Sequence, residues 1–372
     1  MSRVLGILNF EPSYVNVAGL GESRPISAAS ILGRYRVCDF MLSNFTNSGI
    51  DDIKVLIKQK PRSMIEHITR TNYNINSKRG NIHMLFGEED FSTNSLYNVD
   101  IRAFKTYMHF IEKEDPSYIV IAPSHFVYKI DFSEMIEYHK KSKNDITMLY
   151  HHTNNADTKY LMGDVLSIDK ATNKVTKFHK NRSKYKSVDI SLEAYVMDIV
   201  VFKKLVEDAI NTSSLYSLSD IVADKIGELN IGAYKHTGIV DCISTLSAYY
   251  VCNMNVRKEK ELKKLINDDW PIYTMTINSC PTLYAPSASA KGSIIANGCM
   301  IKGTVINSVI SRNVVIQEGA VIKDSIILPD TVIGKNVKIE NAIVDRLAIV
   351  THTKELIGDK DNPIYVKRGD RI

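Results

Sequence analysis

From Val309 to Ile339 an apolar β-branched residue returns at every sixth position, as Val309, Val315, Val321, Ile327, Ile333 and Ile339. A small or β-branched residue follows four places after most of them: Gly319, Ser325, Thr331, Val337 and Ile343. This period predicts a left-handed parallel β-helix, in which each hexapeptide forms one side of a triangular coil and the β-branched residue fills the axis. The less regular pair Ile295 and Ile301 places the start of the coil near Ser287. An antiparallel meander needs turn signals roughly every 8 to 12 residues and does not hold such a register. The exposed sides of the coil are expected to serve packing or oligomer formation.

The preceding 250 or so residues alternate short apolar runs with helical patterns, the signature of an α/β fold with a mostly parallel sheet and crossover helices. Val4 to Leu8, Ile53 to Lys58, Tyr118 to Ala122, Ile146 to Tyr150, Val165 to Ile168, Val175 to Phe178 and Ala194 to Met197 read as strands. Asp39 to Asn47 and Ile101 to Lys113 read as helices. Pro271, Pro281 and Pro286 give the segment before the coil linker character. The expected organisation is a Rossmann-like domain over 1–252, a linker over 253–286 and the β-helix over 287–372.

Composition narrows the function. Forty-seven Lys and Arg against 42 Asp and Glu leave a net charge of +5, mild for 372 residues, so nucleic acid is not an expected partner. Cys38, Cys242, Cys252, Cys280 and Cys299 form no metal-ligand spacing and read as reduced core thiols of a cytoplasmic protein. No run of 18 apolar residues calls for a membrane. The coil has no histidine before His352, so it lacks the usual general base of a hexapeptide acyltransferase. The seven Lys or Arg and one His between Lys170 and Lys186 read as a solvated hairpin, and His67, His83, His109 and His125 are assigned no catalytic role.

The string Gly33-Arg34-Tyr35-Arg36-Val37-Cys38-Asp39-Phe40, followed by Leu42-Ser43-Asn44 and Asn47-Ser48-Gly49-Ile50, closely resembles the G-G-K-x-R-x-I-D-F-x-L-S-N-x-x-N-S-G-I segment of the glucose-1-phosphate adenylyltransferase family. Ile119 to Tyr128 and Thr237 to Ser247 match further segments in the same order. The resemblance implies transfer of AMP from ATP to glucose 1-phosphate, with phosphate-binding N–H and cationic groups and carboxylate-held Mg²⁺.

At those positions the chain departs from the family. After Leu8 it reads Asn9-Phe10-Glu11-Pro12-Ser13 in place of the glycine-rich phosphate loop, and Gly19-Leu20-Gly21 reads as a lid or surface turn. Residues 1–53 hold no lysine, and Arg24-Pro25 is the remnant of the A-K-P motif. The nucleotide motif G-T-A-D-A falls on Ser92 to Leu96 with one residue kept. The metal aspartate becomes Ser124, whose neutral hydroxyl is no Mg²⁺ anchor. F-x-E-K-P becomes Phe178-His179-Lys180-Asn181-Arg182, where Lys180 is the candidate substrate lysine, and S-M-G becomes Ser191-Leu192-Glu193, with Glu193 beside the expected phosphate. The second metal aspartate is kept as Asp241.

The resemblance thus points to a GlgD-type regulatory subunit, catalytically degenerate and assigned no cofactor of its own, that joins a catalytic GlgC-type subunit in a hetero-tetramer or self-associates. Two alternatives stand beside it: an active transferase using Arg24, Lys180 and Asp241, and a stand-alone sugar-phosphate-binding scaffold. Arg34 and Arg36 match a region near activator binding and are the candidates for sugar-phosphate effectors; pairing with carboxylates such as Asp39 is the other reading of them.

Overall fold

The computed structural model describes residues 3–69, 81–86, 99–213 and 215–372. A nine-stranded mixed sheet runs in the order Asn81–Phe86, Asp52–Ile57, Val4–Asn9, Tyr118–Pro123, Val188–Asp198, Ile146–Thr153, Ile231–His236, Lys174–Lys180 and Asp164–Asp169. Its central strands alternate between two buried faces. Ile119 and Ile121 pack with Phe104, Phe202 and Leu205 on one side. Val120 and Ala122 pack with Phe45, Phe132 and Met135 on the other. Asn81–Phe86 and Ile231–His236 are strands the apolar pattern did not mark. The helix expected from Ile101 to Lys113 is broken at Tyr107, whose backbone (φ −99°, ψ 11°) separates Asp100–Thr106 from Met108–Glu112.

The C-terminal region is a left-handed β-helix with three faces of five parallel strands each, beginning at Leu283–Tyr284. Val315 pairs with Val332 and Val332 with Ile349, steps of 17 residues, so in these coils one side is a residue short of six, whereas Met300 pairs with Val315, a step of 15. The axis therefore drifts against a strict six-residue register. Ile310, Ile316 and Ile322 fill it, followed by Ile327, Ile333 and Ile339, whereas Val315 and Val321 of the predicted column are only half-buried. Asn307, Asn313, Asp324, Asp330, Asn336 and Asn341 carry positive φ at the corners, where a short polar side chain tolerates the left-handed conformation.

The segment between the two regions is not extended throughout. Helix Leu246–Val256 runs across residue 252, and Glu259–Leu265 forms a second helix. Tyr249 and Tyr250 join Phe40 to Ile326, Leu328 and Ile343 in one apolar cluster that fastens the β-helix to the sheet domain. Gly33, at φ 70°, lies so close to the coil that a Cβ there would meet the Ile310 carbonyl oxygen at 2.7 Å. The polar residues of the Gly33 to Ile50 string do structural duty. Asp39 accepts from the Arg36 N–H (2.8 Å) and Thr274 Oγ1 (2.6 Å); Ser43 Oγ accepts from the Tyr273 N–H (2.8 Å). Asn44 accepts from Trp270 Nε1 (2.9 Å) and donates to the Tyr128 carbonyl (2.9 Å). The string thus ties its helix to the segment from Trp270 to Thr274 and to Tyr128.

Candidate functional site

The C-terminal ends of Val4–Asn9 and Tyr118–Pro123 open onto the crevice where an α/β sheet of this order takes its ligand. In this protein a side chain occupies it. The loop after Asn9 turns back and inserts Tyr14, whose hydroxyl donates to Glu193 Oε1 (2.5 Å) and whose oxygen lies 3.2 Å from His125 Nε2. Because the tyrosine proton goes to the carboxylate, Nε2 is assigned as the ring's donor. Burial lowers the His125 pKa to about 3, which keeps the imidazole neutral. Glu193 reaches the crevice because pairing with Ile146–Thr153 is interrupted between Ser191 and Tyr195 and its own backbone is left-handed, φ 52°. Such an interruption re-aims a side chain that a regular strand would hold elsewhere.

Burial, reinforced by the nearby Asp164 and Asp100, pushes the Glu193 pKa up to about 7, against the opposing pull of Tyr14 and Lys180. Lys180 is brought to this cluster and pairs with Asp164 at 2.7 Å, while Ser219 donates to the other Asp164 oxygen. Asp100 accepts from Asn9 (2.8 Å) and the Leu218 N–H (2.9 Å). Each carboxylate near Glu193 is thus engaged by protein donors.

The residues do not fit Mg²⁺. Ser124 is buried, and its Oγ has no hydrogen-bond partner among the described residues. Asp241 pairs in register with Val127 on a short antiparallel ribbon, and its carboxyl lies beside Cys252 and Lys159. It is Cys242, on the opposite face of that strand, that feels the charge of Glu193. Arg24 is also elsewhere, in a buried ion pair with Asp345 of the β-helix. Arg24, Lys180 and Asp241 therefore do not meet in a rearranged site. The nucleotide motif at Ser92 to Leu96 lies outside the described residues. Cys38, Asp39 and His67 place a sulfur, a carboxylate and an imidazole within 4.8 Å of one another, but Asp39 is bonded to His67 at 2.6 Å and to Thr274, as a hydrogen-bond network rather than a ligand set.

A second cleft, about 220 Å³, lies between the sheet domain and the coil. Arg34 and Arg36 line it with Arg24, Arg312 and Arg346, against Glu66 and Asp330. Burial lowers the pKa of Arg36, Arg312 and Arg346, and neighbouring guanidiniums lower it further. Arg34 is exposed at the rim with its guanidinium 5.7 Å from the Tyr35 ring, and Arg36 donates to the Ala28 carbonyl. So Arg36 is held by a backbone oxygen, with Asp39 accepting only its N–H. Five guanidiniums against two carboxylates give the lining of this cleft an excess of positive charge.

Sequence reasoning marked Glu193 and Lys180, which the fold brings within electrostatic reach of each other, and Ser124, which follows the central strand Tyr118–Pro123, but missed Tyr14, His125, Asp164 and Asp100. Only the loss of glycines before Tyr14 hinted at its role. Gly19 reads as a surface turn from sequence, yet it docks on the β-helix: a Cβ there would fall 2.1 Å from the Tyr365 ring. Cys280 is exposed and Cys242 half-buried, so only three of the five thiols are core residues.

Comparison with known proteins accounts for both regions. The nucleotidyl transferase family matches residues 18–235, and the GlmU-like C-terminal hexapeptide family matches 284–362. A glucose-1-phosphate adenylyltransferase of Acetivibrio thermocellus is 30% identical over 84% of this chain and 74% of its own length. Those of Clostridium kluyveri (29%, 84% and 77%) and Bacillus cytotoxicus (26%, 91% and 90%) are similar to it over comparable spans. With its sheet domain, its coil and most of its length aligned to these enzymes, the chain belongs to the glucose-1-phosphate adenylyltransferase family.

Proposed function

We propose that this chain is a GlgD-type subunit of glucose-1-phosphate adenylyltransferase in glycogen biosynthesis: cytoplasmic, regulatory, catalytically degenerate, and paired with a GlgC-type catalytic chain in a hetero-tetramer. The observation that carries this reading is the Tyr14–Glu193–His125 cluster. It fills the crevice and sets a carboxylate where the resemblance expects a phosphate. Ser124 adds to it, since a hydroxyl supplies no charge for Mg²⁺. Losses of this kind each cost about 10² to 10³ in rate.

The test is an assay of this chain alone, the catalytic partner alone and the two mixed, with Mg-ATP and glucose 1-phosphate. Alone, the chain should turn over at less than about one-hundredth of the partner's rate, and mixing should change the partner's kcat or its response to sugar phosphates. Substantial ADP-glucose synthesis by the chain alone refutes the reading.

The arginine cleft supports sugar-phosphate effectors acting through Arg34 and Arg36. Arg34→Gln, at an exposed position, should weaken binding of a sugar bisphosphate at least about tenfold, read by calorimetry, and lessen its salt dependence. Wild-type affinity in both the Arg34→Gln and the Arg34→Gln/Arg36→Gln proteins would remove these arginines from the effector site.

A further inference from the structure

Strands Val188–Asp198 and Ile146–Thr153 run antiparallel, and beyond the interruption at Ser191 their ends bring three polar side chains together. Asp189 lies directly opposite His152 in the register. Ser187 comes two residues before Asp189, so the pleat turns both toward the side of His152. His152 Nδ1 is 2.8 Å from Asp189 Oδ1, and its Nε2 is 3.2 Å from Ser187 Oγ. A hydroxyl, an imidazole and a carboxylate are thus chained through the two ring nitrogens, in the order required of a nucleophile, its base and the group that orients the base.

The placement of protons decides what this chain of groups can do. An ionised Asp189 only accepts, so the neutral ring carries its proton on Nδ1 and turns the Nε2 lone pair to the hydroxyl; the tautomer is assigned from this contact. Asn154 Oδ1, 2.9 Å from Ser187 Oγ, is the other acceptor for the hydroxyl proton and holds that oxygen beside the ring. Cross-strand pairing accounts for the apposed His152 and Asp189, but it gives no reason for a serine on the second nitrogen. The group also stands open to solvent: Ser187 is exposed, and the side chains of His152 and Asp189 are 45% and 33% exposed.

We propose that Ser187 is a nucleophile for acyl transfer, with His152 as its general base and Asp189 as the positioning residue of the ring. The substrate class follows from the exposure. An open surface does little to align a donor or to assist a poor leaving group, so the acyl donors that fit are activated esters, whose alkoxide or phenolate departs readily. In the step, Ser187 Oγ bonds to the acyl carbon as Nε2 takes the hydroxyl proton, the ester C–O bond breaks, and the proton passes to the departing oxygen. Water, deprotonated by the same nitrogen, then attacks the acyl-serine and releases the carboxylic acid with Ser187 restored. This chemistry uses none of the crevice residues and stands apart from nucleotidyl transfer.

The test treats the full chain with p-nitrophenyl acetate and, separately, with a fluorophosphonate, follows the labelling rate and locates the adduct by peptide mass spectrometry. Ser187 should carry the adduct, and Ser187→Ala, at an exposed position, should abolish it. His152→Gln should slow labelling at least about hundredfold. Asp189→Asn should slow it at least about tenfold, because an amide donates to Nδ1 and moves the ring proton to Nε2, whereas Asp189→Glu restores the acceptor and should recover part of the rate. Labelling of other exposed serines as fast as Ser187, or an unchanged rate in His152→Gln, overturns the nucleophile and its base. Equal loss in Asp189→Asn and Asp189→Glu overturns the positioning role of Asp189.

Discussion

Arg24→Ala should destabilise the protein by about 3–5 kcal/mol, because it leaves Asp345 buried with its principal counter-charge removed. Arg24 is 4% exposed and Asp345 fully buried, and the pair bridges the sheet domain and the β-helix. Asp345 keeps the Tyr365 hydroxyl (2.6 Å) and the Arg346 N–H (2.6 Å), so the charge remains hydrogen-bonded but is no longer neutralised. Trp270, the single tryptophan, is anchored to Asn44 near this junction and reports the loss by fluorescence in urea. Asp345→Asn alone should also destabilise, while the double variant should cost less than the two singles combined by at least about 1 kcal/mol. Strict additivity would show that the two groups do not interact.

Glu193→Gln should stabilise the protein at pH 8 and leave it nearly unchanged at pH 5. The Glu193 pKa is raised from 4.5 to about 7 in the folded state, chiefly by burial. A raised carboxyl binds its proton more tightly in the folded state than in the unfolded one. Its favourable contribution is therefore present below the unfolded value and is lost as pH rises through the folded one. At pH 8 the buried carboxylate costs the wild type about 3 kcal/mol relative to pH 4, and a glutamine carries no such cost. The groups facing Glu193 are Tyr14, His125, Lys180, Asp164, Asp100 and Cys242. Since they are common to both proteins, the difference between wild type and variant isolates the carboxyl. Urea denaturation at the two pH values measures it, and a stability difference independent of pH would refute a raised Glu193.

The coil was legible because its period is local: each side is short and the same residue type returns on the axis. What the period missed was the 17-residue step, which fixes whether Val315 or Ile316 points inward. That choice depends on the pairing of successive coils, as the spacing within one side does not reveal it. The sheet strands were likewise readable where both faces are buried, as at Tyr118–Pro123, and missed at Asn81–Phe86, where several side chains are exposed.

At the crevice the sequence by itself determined the missing charge at Ser124, the added charge at Glu193 and the retained string from Gly33 to Ile50. These are matters of residue identity at fixed places along the chain. Only the tertiary structure decided that Tyr14 fills the crevice, that Asp241 turns toward Cys252 and Lys159, and that five arginines from separate segments converge on one cleft. The Tyr14 contact joins positions 179 residues apart. It exists because an interrupted strand pairing turns Glu193 toward the loop, and strand pairing is set by packing of the whole sheet rather than by the residues on either side.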